Sequence, residues 1–91
     1  MEGKNLPMSD QEFIVLDELY FVTSFPELQQ ATDLPHDELK GTLLTLFSKG
    51  WLKVFKTIAE ELPEESIDLE ADLENYFYLA SKAGLLAHNG R

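Results

Sequence analysis

The central stretch of the chain, residues 26–53, has the clearest periodicity of hydrophobic and polar positions. In its second half, apolar residues recur at the spacing of a helix that buries one stripe: Leu39, Leu43, Leu46 and Phe47. Pro35 begins this helix, and Gly50 ends it because glycine readily adopts a left-handed backbone. The aromatic and β-branched residues that follow, 51–56, predict a strand.

A shorter helix precedes this one along the chain. Pro26 suits a first helical turn, where its missing N–H costs nothing, so residues 27–32 are predicted to be helical. Leu28 and Ala31 then share one face, and Asp33 supplies the turn before the next helix. We expect the rest of the chain to pack against these two helices and the strand.

A further helix is predicted near the N-terminus. Ser9 and Glu12 have the spacing of a capping box, so this helix follows a loose leader, residues 1–8, and runs to about Thr23. Its apolar residues cover two sides: Phe13, Leu16 and Tyr20 on one, and Val15, Leu19 and Val22 on the other. Such a helix is either buried between its neighbours or shared with a second copy of the chain. The second side is therefore the candidate dimer interface.

Residues 66–73 are compatible with either a strand or a helix. Alternation sets an apolar residue against each acid, as in a half-buried strand, whereas helical spacing pairs Leu69 with Leu73. Because residues 76–79 predict the return strand of a hairpin, we favour an extended arm over residues 67–79.

Eleven residues in the central stretch occur in an order that is also found in a known family: Leu28, Ala31, Thr32, Leu34, Leu39, Leu43, Leu46, Lys49, Gly50, Leu52 and Lys53. This order resembles the winged helix-turn-helix pattern of small bacterial, MarR/PadR-like transcription regulators, in which a Lys-Gly-apolar-apolar-basic run ends the recognition helix. Residues 78–84 are similar to the segment that closes the wing in that family. Here Ala80 replaces the usual Thr, and Ala83 is inserted before the Gly.

The resemblance implies an α+β, mainly α fold: a winged helix-turn-helix with a three-helix core, a β-hairpin wing and a short C-terminal helix over residues 82–87. It suits a single domain over residues 9–91. The size of the chain agrees, because 91 residues with 44% hydrophobic content permit one small core.

Composition bears on the cellular compartment in which the protein resides. The chain has no cysteine, which excludes disulfides and thiolate metal sites and favours an intracellular protein. Its N-terminal residues contain no apolar run of signal-peptide length, and no stretch indicates membrane insertion. A cytoplasmic protein without membrane contact is therefore predicted.

Charge is segregated along the chain, whose 17 acids and 7 bases give a formal net charge of -10. Residues 39–59 contain four bases and no acid: Lys40, Lys49, Lys53 and Lys56. Residues 60–75 contain eight acids and no base: Glu60, Glu61, Glu64, Glu65, Asp68, Glu70, Asp72 and Glu74. DNA-binding winged helices generally place Arg or Lys in the wing. An acidic wing repels phosphate and opposes the counterion release that drives such binding.

The outward face of the predicted recognition helix is also poor in bases. It carries Asp37, Gly41, Leu44, Thr45 and Ser48, with His36, Glu38 and Lys40 toward its edges. Base reading in the major groove relies mainly on Arg, Asn, Gln and Lys. Leu44 is either a scattered surface residue or a contact for a protein partner. The candidate partner or DNA contacts are His36, Asp37, Lys40, Gly41, Leu44, Thr45, Ser48, Lys53 and Lys56, and the Thr42 hydroxyl is a further candidate for phosphate.

No catalytic constellation is evident in the sequence. His36 and His88 lie in different predicted elements and outside any metal-ligand spacing. Neither a glycine-rich phosphate loop nor a nucleophile elbow occurs. The carboxylate row lacks the glycine that an EF-hand loop requires, because Leu73 stands there, so a solvated acidic face is the simpler interpretation. We predict a non-enzyme without cofactor, metal or small-molecule substrate.

Two functions remain after these exclusions. The favoured one is a non-catalytic binding module that contacts protein through its acidic wing and recognition helix, or that pairs as a homodimer. The alternative is a DNA-binding transcriptional regulator that uses four bases on phosphate: Lys40, Lys49, Lys53 and Lys56. The family resemblance favours DNA, whereas the charge distribution and the composition of the contact face favour protein.

Overall fold

The computed structural model describes residues 7–90 of the chain. These residues form an α+β, mainly helical fold of five helices and one four-stranded antiparallel sheet. The helices are α1 (Asp10–Asp17), α2 (Phe25–Thr32), α3 (His36–Ser48), α4 (Leu69–Asp72) and α5 (Lys82–Asn89). The strands are β1 (Thr23–Ser24), β2 (Leu52–Thr57), β3 (Glu60–Glu61) and β4 (Phe77–Ala80). Two 3₁₀ turns, Glu64–Ser66 and Leu73–Asn75, flank α4.

The sheet has the strand order β1-β4-β2-β3. The pairing of β2 with β4 runs from Leu52 opposite Ala80 to Phe55 opposite Phe77. β1 extends the sheet beyond β4, with Thr23 opposite Tyr78, and β3 folds back on the end of β2. The strand predicted after Gly50 is therefore confirmed, and its partner is the predicted return strand.

One hydrophobic core lies between the helices and the sheet. The stripe predicted on α3 supplies Leu39, Leu43 and Leu46, which are fully buried. Trp51 and Tyr78 are the largest fully buried side chains, and they join the sheet to the helices. Each buried leucine stabilises the fold by about 2 kcal/mol relative to an exposed one.

The turns around α2 and α3 follow the prediction closely. Ser24 and Glu27 form a capping box that begins α2 at Phe25, slightly before the predicted residue 27. Asp33 ends α2 in the left-handed conformation, with φ 59°. Gly50, with φ 77°, turns the chain from α3 into β2, a backbone that other residues rarely adopt.

Helix α1 begins as predicted but ends much earlier. The capping box between Ser9 and Glu12 is present in both directions, and the helix stops at Asp17 instead of continuing to Thr23. The carbonyl of Leu19 accepts a hydrogen bond from the Ala80 amide at 2.9 Å. The chain is therefore drawn into the sheet before another helical turn can form. Of the predicted leader, residues 1–6 lie outside the described part of the chain, and Met8 packs against the core.

The proposed dimer interface on the first helix is wrong for two of its three residues. Val15 and Leu19 are fully buried in the core of a single chain, because α1 packs between α3 and α5. Val22 lies beyond α1 and is half-buried. A second copy of the chain has no access to Val15 or Leu19.

The extended arm predicted over residues 67–79 is also wrong, except at β4. Asp68 caps α4 by accepting hydrogen bonds from the Glu70 and Ala71 amides, both at 3.1 Å. This local bond competes successfully with extended backbone, as aspartate side chains often do. Leu69 and Leu73 then point into the core together, which is the helical alternative.

Candidate functional site

The outward face of α3 is small and polar. Asp37, Gly41, Thr45 and Ser48 are all exposed, as predicted. The two hydroxyls bond to the helix itself: Thr45 donates to the Gly41 carbonyl at 3.0 Å and Ser48 to the Thr45 carbonyl at 2.8 Å. This face therefore offers a partner a shallow surface without a cation.

Two predicted contact residues on α3 are less accessible than expected. Leu44, expected to be exposed, is half-buried and packs against the core. Thr42 is buried, and its hydroxyl lies 2.8 Å from the Glu38 carbonyl oxygen and 3.2 Å from Gln11 Oε1, the two acceptors for its one hydrogen. The Thr42 hydroxyl thus faces α1 and not a ligand.

His36 begins α3 and contacts the acidic segment, residues 60–74. Its Nε2 lies 2.6 Å from Glu74 Oε2, and its Nδ1 lies 3.3 Å from Asp37 Oδ1. The hydrogen bonds to Asp37 and Glu74 raise the pKa of His36 above its ordinary value of 6.5, because both carboxylates favour the imidazolium. The ring of Phe25, from α2, lies beside it at 5.4 Å between centroids.

Lys40 lies one turn further along α3 and is held in the same way. Its Nζ is 2.7 Å from Glu70 Oε1, and this hydrogen bond raises the pKa of Lys40. His36 and Lys40 are thus matched by Glu74 and Glu70 in antiparallel order, and the two members on each side are four positions apart in sequence. A small polar cleft of about 210 Å³ lies between the two pairs.

Lys49, just after α3, is half-buried and makes its hydrogen bonds to residues near the start of α1. Its ammonium donates to both carboxylate oxygens of Glu12, at 2.8 and 2.9 Å, and to the Pro7 carbonyl at 2.6 Å. It also lies over the Trp51 ring, 4.7 Å from the centroid. Glu12 is only 4% exposed, so the pair tethers the start of α1 to the end of α3. The DNA-binding alternative assigns Lys49 a phosphate contact, and the three bonds of its ammonium leave no donor for one.

The two lysines on β2 differ in their surroundings. Lys53 is exposed, and its Nζ lies 3.9 Å from Glu61 Oε1 on β3. Lys56 is exposed and makes no ion pair with any of residues 7–90. The DNA-binding alternative assigns four lysines to phosphate. Lys56 is the one among them that no described carboxylate neutralises.

The eight carboxylates of the acidic segment are all exposed. Glu61, Glu70 and Glu74 pair with bases, and Asp68 caps α4. Within the described residues, Glu60, Glu64, Glu65 and Asp72 have no cationic partner. Ile58, in the turn between β2 and β3, precedes Glu60 by two positions and is 70% exposed.

A groove of about 690 Å³ runs between the start of α1 and the middle of α3. Gly41 and Thr45 form its α3 side, and Met8 and Gln11 form its α1 side. Gln11 donates to Glu38 Oε1 at 2.7 Å, and the Glu12–Lys49 pair closes one end. Its charged groups are therefore carboxylates or already paired.

His88 is a contact that sequence reasoning missed. It lies on α5, stacks on Phe13 at 4.3 Å between ring centroids, and bonds through Nδ1 to the Tyr20 hydroxyl at 2.9 Å. Its Nε2 lies 3.4 Å from Asp17 Oδ1. The residue fastens α5 to α1, and no local spacing links positions so distant along the chain.

Neither a cluster of metal ligands nor a membrane-spanning helix occurs among residues 7–90. No group of three His, Cys, Asp or Glu side chains in this range is placed to hold a metal ion. None of the helices in the same range has the length and apolar character that crossing a membrane requires.

Comparisons with models of protein families, with curated proteins and with solved structures found no significant match to this chain.

Proposed function

We propose that this chain is a non-catalytic winged-helix module that binds protein through its wing and α3. The order of the elements supports this arrangement: α1, β1, α2, α3, β2, β4 and α5, with β4 placed between β1 and β2. On this proposal α3 is the recognition helix, and the wing consists of β2, the acidic segment and β4.

The observation that carries the proposal is the pairing of basic side chains with the chain's own carboxylates. Both lysines at α3, Lys40 and Lys49, lie within hydrogen-bonding distance of glutamates, at 2.7 and 2.8 Å. A phosphate group would have to displace these carboxylates before it gained a lysine. It would also approach a segment whose net charge is strongly negative, which reduces its local concentration.

The tip of the wing supports a protein partner in a second way. Ile58 is largely exposed, and unpaired carboxylates lie close to it in sequence at Glu60 and Glu64. Protein interfaces combine an apolar contact with a polar rim. A partner that offers an apolar pocket flanked by Lys or Arg would satisfy both features.

DNA binding is the second candidate, and the order of the elements favours it. On this alternative, Lys56 reaches phosphate without first losing a partner, and Lys53 has only the distant Glu61 to give up. Both lie on β2, whose side chains would flank a duplex held against α3.

A titration of fluorescently labelled duplex DNA separates the two candidates. The protein-binding proposal predicts no salt-steep affinity between about 50 and about 200 mM salt, because few phosphate contacts form. The DNA alternative predicts an affinity that falls steeply over this range and is lost in Lys53→Glu and Lys56→Glu.

Lys82→Glu provides a matched control, because Lys82 is an exposed lysine on α5 and is not among the lysines that the DNA alternative uses. Salt-steep binding that survives in this control but disappears in both β2 variants would overturn the proposal. Homodimer formation stays a prediction, and light scattering at high protein concentration tests it. Residence in the cytoplasm also stays a prediction.

A further inference from the structure

The contact between α3 and the acidic segment repeats with a regular spacing. His36 and Lys40 are one helical turn apart on α3, and Glu74 and Glu70 face them in reverse order at 2.6 and 2.7 Å. Side chains four residues apart on a helix lie on the same face, about 6 Å apart. Two negatively charged groups are thus presented to two adjacent cationic positions of the contact helix.

The acidic segment is firmly anchored behind these pairs. Leu69 and Leu73 are buried, and the Tyr78 hydroxyl donates to the Leu73 carbonyl. The Tyr76 hydroxyl accepts from the Asp68 amide at 3.0 Å. The backbone that carries Glu70 and Glu74 is therefore held against the core, close to α3.

We infer that Glu70 and Glu74 act as an intramolecular substitute for a phosphodiester backbone: they occupy Lys40 and His36 and so exclude nucleic acid from α3. The inference rests on the proposed role of α3 as the contact helix. It identifies Glu70 and Glu74 as the residues that decide whether α3 accepts protein or nucleic acid. A partner that approaches α3 meets a neutralised surface at these positions, which protein tolerates and phosphate does not.

The groups that face His36 come from three elements. Asp37 lies on α3 itself, Glu74 lies in the 3₁₀ turn after α4, and the Phe25 ring packs from α2. Lys40 is the nearest cation along α3, and it is paired with Glu70. Neutralising Glu70 and Glu74 leaves Asp37 as the one carboxylate bonded to His36 within the described residues.

The test compares two double variants with the same change in net charge. Glu70→Gln with Glu74→Gln removes the two carboxylates from α3 but keeps side chains of similar shape. Glu64→Gln with Glu65→Gln removes two exposed carboxylates that pair with no base among residues 7–90. Circular dichroism and thermal melting first establish that both variants fold like the wild type.

Binding of a labelled DNA duplex is then measured at about pH 6, where His36 is largely protonated. We expect the Glu70/Glu74 variant to bind at least about tenfold more tightly than the Glu64/Glu65 variant at about 50 mM salt. Its salt dependence should be steeper by about 1.8 in log–log slope, which is the value for two new phosphate contacts. As the pH is raised and His36 loses its proton, the excess slope should fall toward half of this value, because only Lys40 then gains a phosphate.

Equal binding by the two double variants, or no binding by either, would overturn the inference. The comparison does not depend on whether the wild type binds DNA, so it is separate from the test of the proposed function. Salt-steep binding by the wild type contradicts the proposed function, whereas the ratio between the two variants decides the masking role of Glu70 and Glu74.

Discussion

At the scale of single residues, the pairing of Glu12 with Lys49 best illustrates how the fold uses its few bases. Glu12 accepts from the Ser9 amide at 2.8 Å as part of a capping box, and it also receives the Lys49 ammonium on both of its oxygens. A buried carboxylate without a cation is costly, because the protein interior solvates charge poorly. One side chain thus begins α1 and neutralises the end of α3.

We predict that Lys49→Met destabilises the fold by about 3 kcal/mol, because it leaves the Glu12 carboxylate buried and unpaired. Urea denaturation measures the change in the free energy of unfolding. Lys56→Met is the matched control: Lys56 is exposed and pairs with no acid of residues 7–90, so its change should stay within about 0.5 kcal/mol. Equal effects of the two substitutions would show that the buried pair has no special role.

His36 gives a prediction about pH. Its pKa is raised in the folded protein, first by Asp37 and then by Glu74, so protonation favours the native state. The stabilisation is complete below the unfolded-state pKa of about 6.5 and is lost as the pH rises through the folded-state value. An NMR titration of the imidazole should give a pKa above that of a free histidine. Glu74→Gln should lower it. A wild-type pKa at or below the ordinary value would contradict the hydrogen bonds described for this side chain.

At the scale of secondary structure, we expect substitution by alanine to have opposite effects on stability at two glycines in helices, Gly84 and Gly41. A Cβ at Gly84 on α5 would collide with the Trp51 carbonyl oxygen, whereas a Cβ at Gly41 on α3 would meet nothing within 4 Å. Gly84→Ala should destabilise the protein by about 1–3 kcal/mol through overpacking. Gly41→Ala should stabilise it by up to about 1 kcal/mol, because alanine favours helix.

Thermal unfolding of both alanine variants tests this contrast. Gly84 lies in the stretch where Ala83 is inserted relative to the winged-helix pattern, and the structure uses Gly84 to bring α5 against Trp51. A Gly84→Ala protein that melts at or above the wild-type temperature would mean that α5 does not pack this closely.

The elements that sequence predicts well are those determined by local chemistry. The capping box at Ser9, the turn at Asp33 and the glycine at Gly50 each require a specific backbone within a few residues, and each is confirmed. The apolar stripe of α3 is equally local. The end of α1 is not, because a hydrogen bond from Ala80 to Leu19 determines it, and these residues are far apart in sequence.

In the candidate site, too, features set by local sequence were predictable and contacts between distant residues were not. The exposure of Asp37, Gly41, Thr45 and Ser48 follows from helical periodicity around a buried stripe. The pairs that neutralise the lysines require acids from α1, β3 and α4 to meet α3 and β2, which periodicity does not reveal. The extended arm was predicted wrongly because alternating acids fit a strand as well as a helix, and the Asp68 cap decides between them.

At the scale of the whole molecule, the distribution of charge matters more than its total. The net charge of -10 keeps nucleic acid at a distance, but the pairing of bases with local carboxylates determines what α3 offers to a partner. Four acids that pair with no base among the described residues belong to the acidic segment, and the exposed Ile58 precedes the first of them, Glu60, by two positions. The acidic segment and Ile58 are therefore exposed, whereas the bases of α3, His36 and Lys40, are paired with carboxylates.

The central claim is that α3 of the wild-type protein is closed to phosphate. Its most direct test is an NMR titration of the ¹⁵N-labelled protein with a DNA duplex at low salt. We predict that the amide signals of Asp37, Gly41, Thr45 and Ser48 stay where they are. Shifts concentrated on these residues and on β2, and abolished by added salt, would show that the helix accepts the duplex and would contradict the claim.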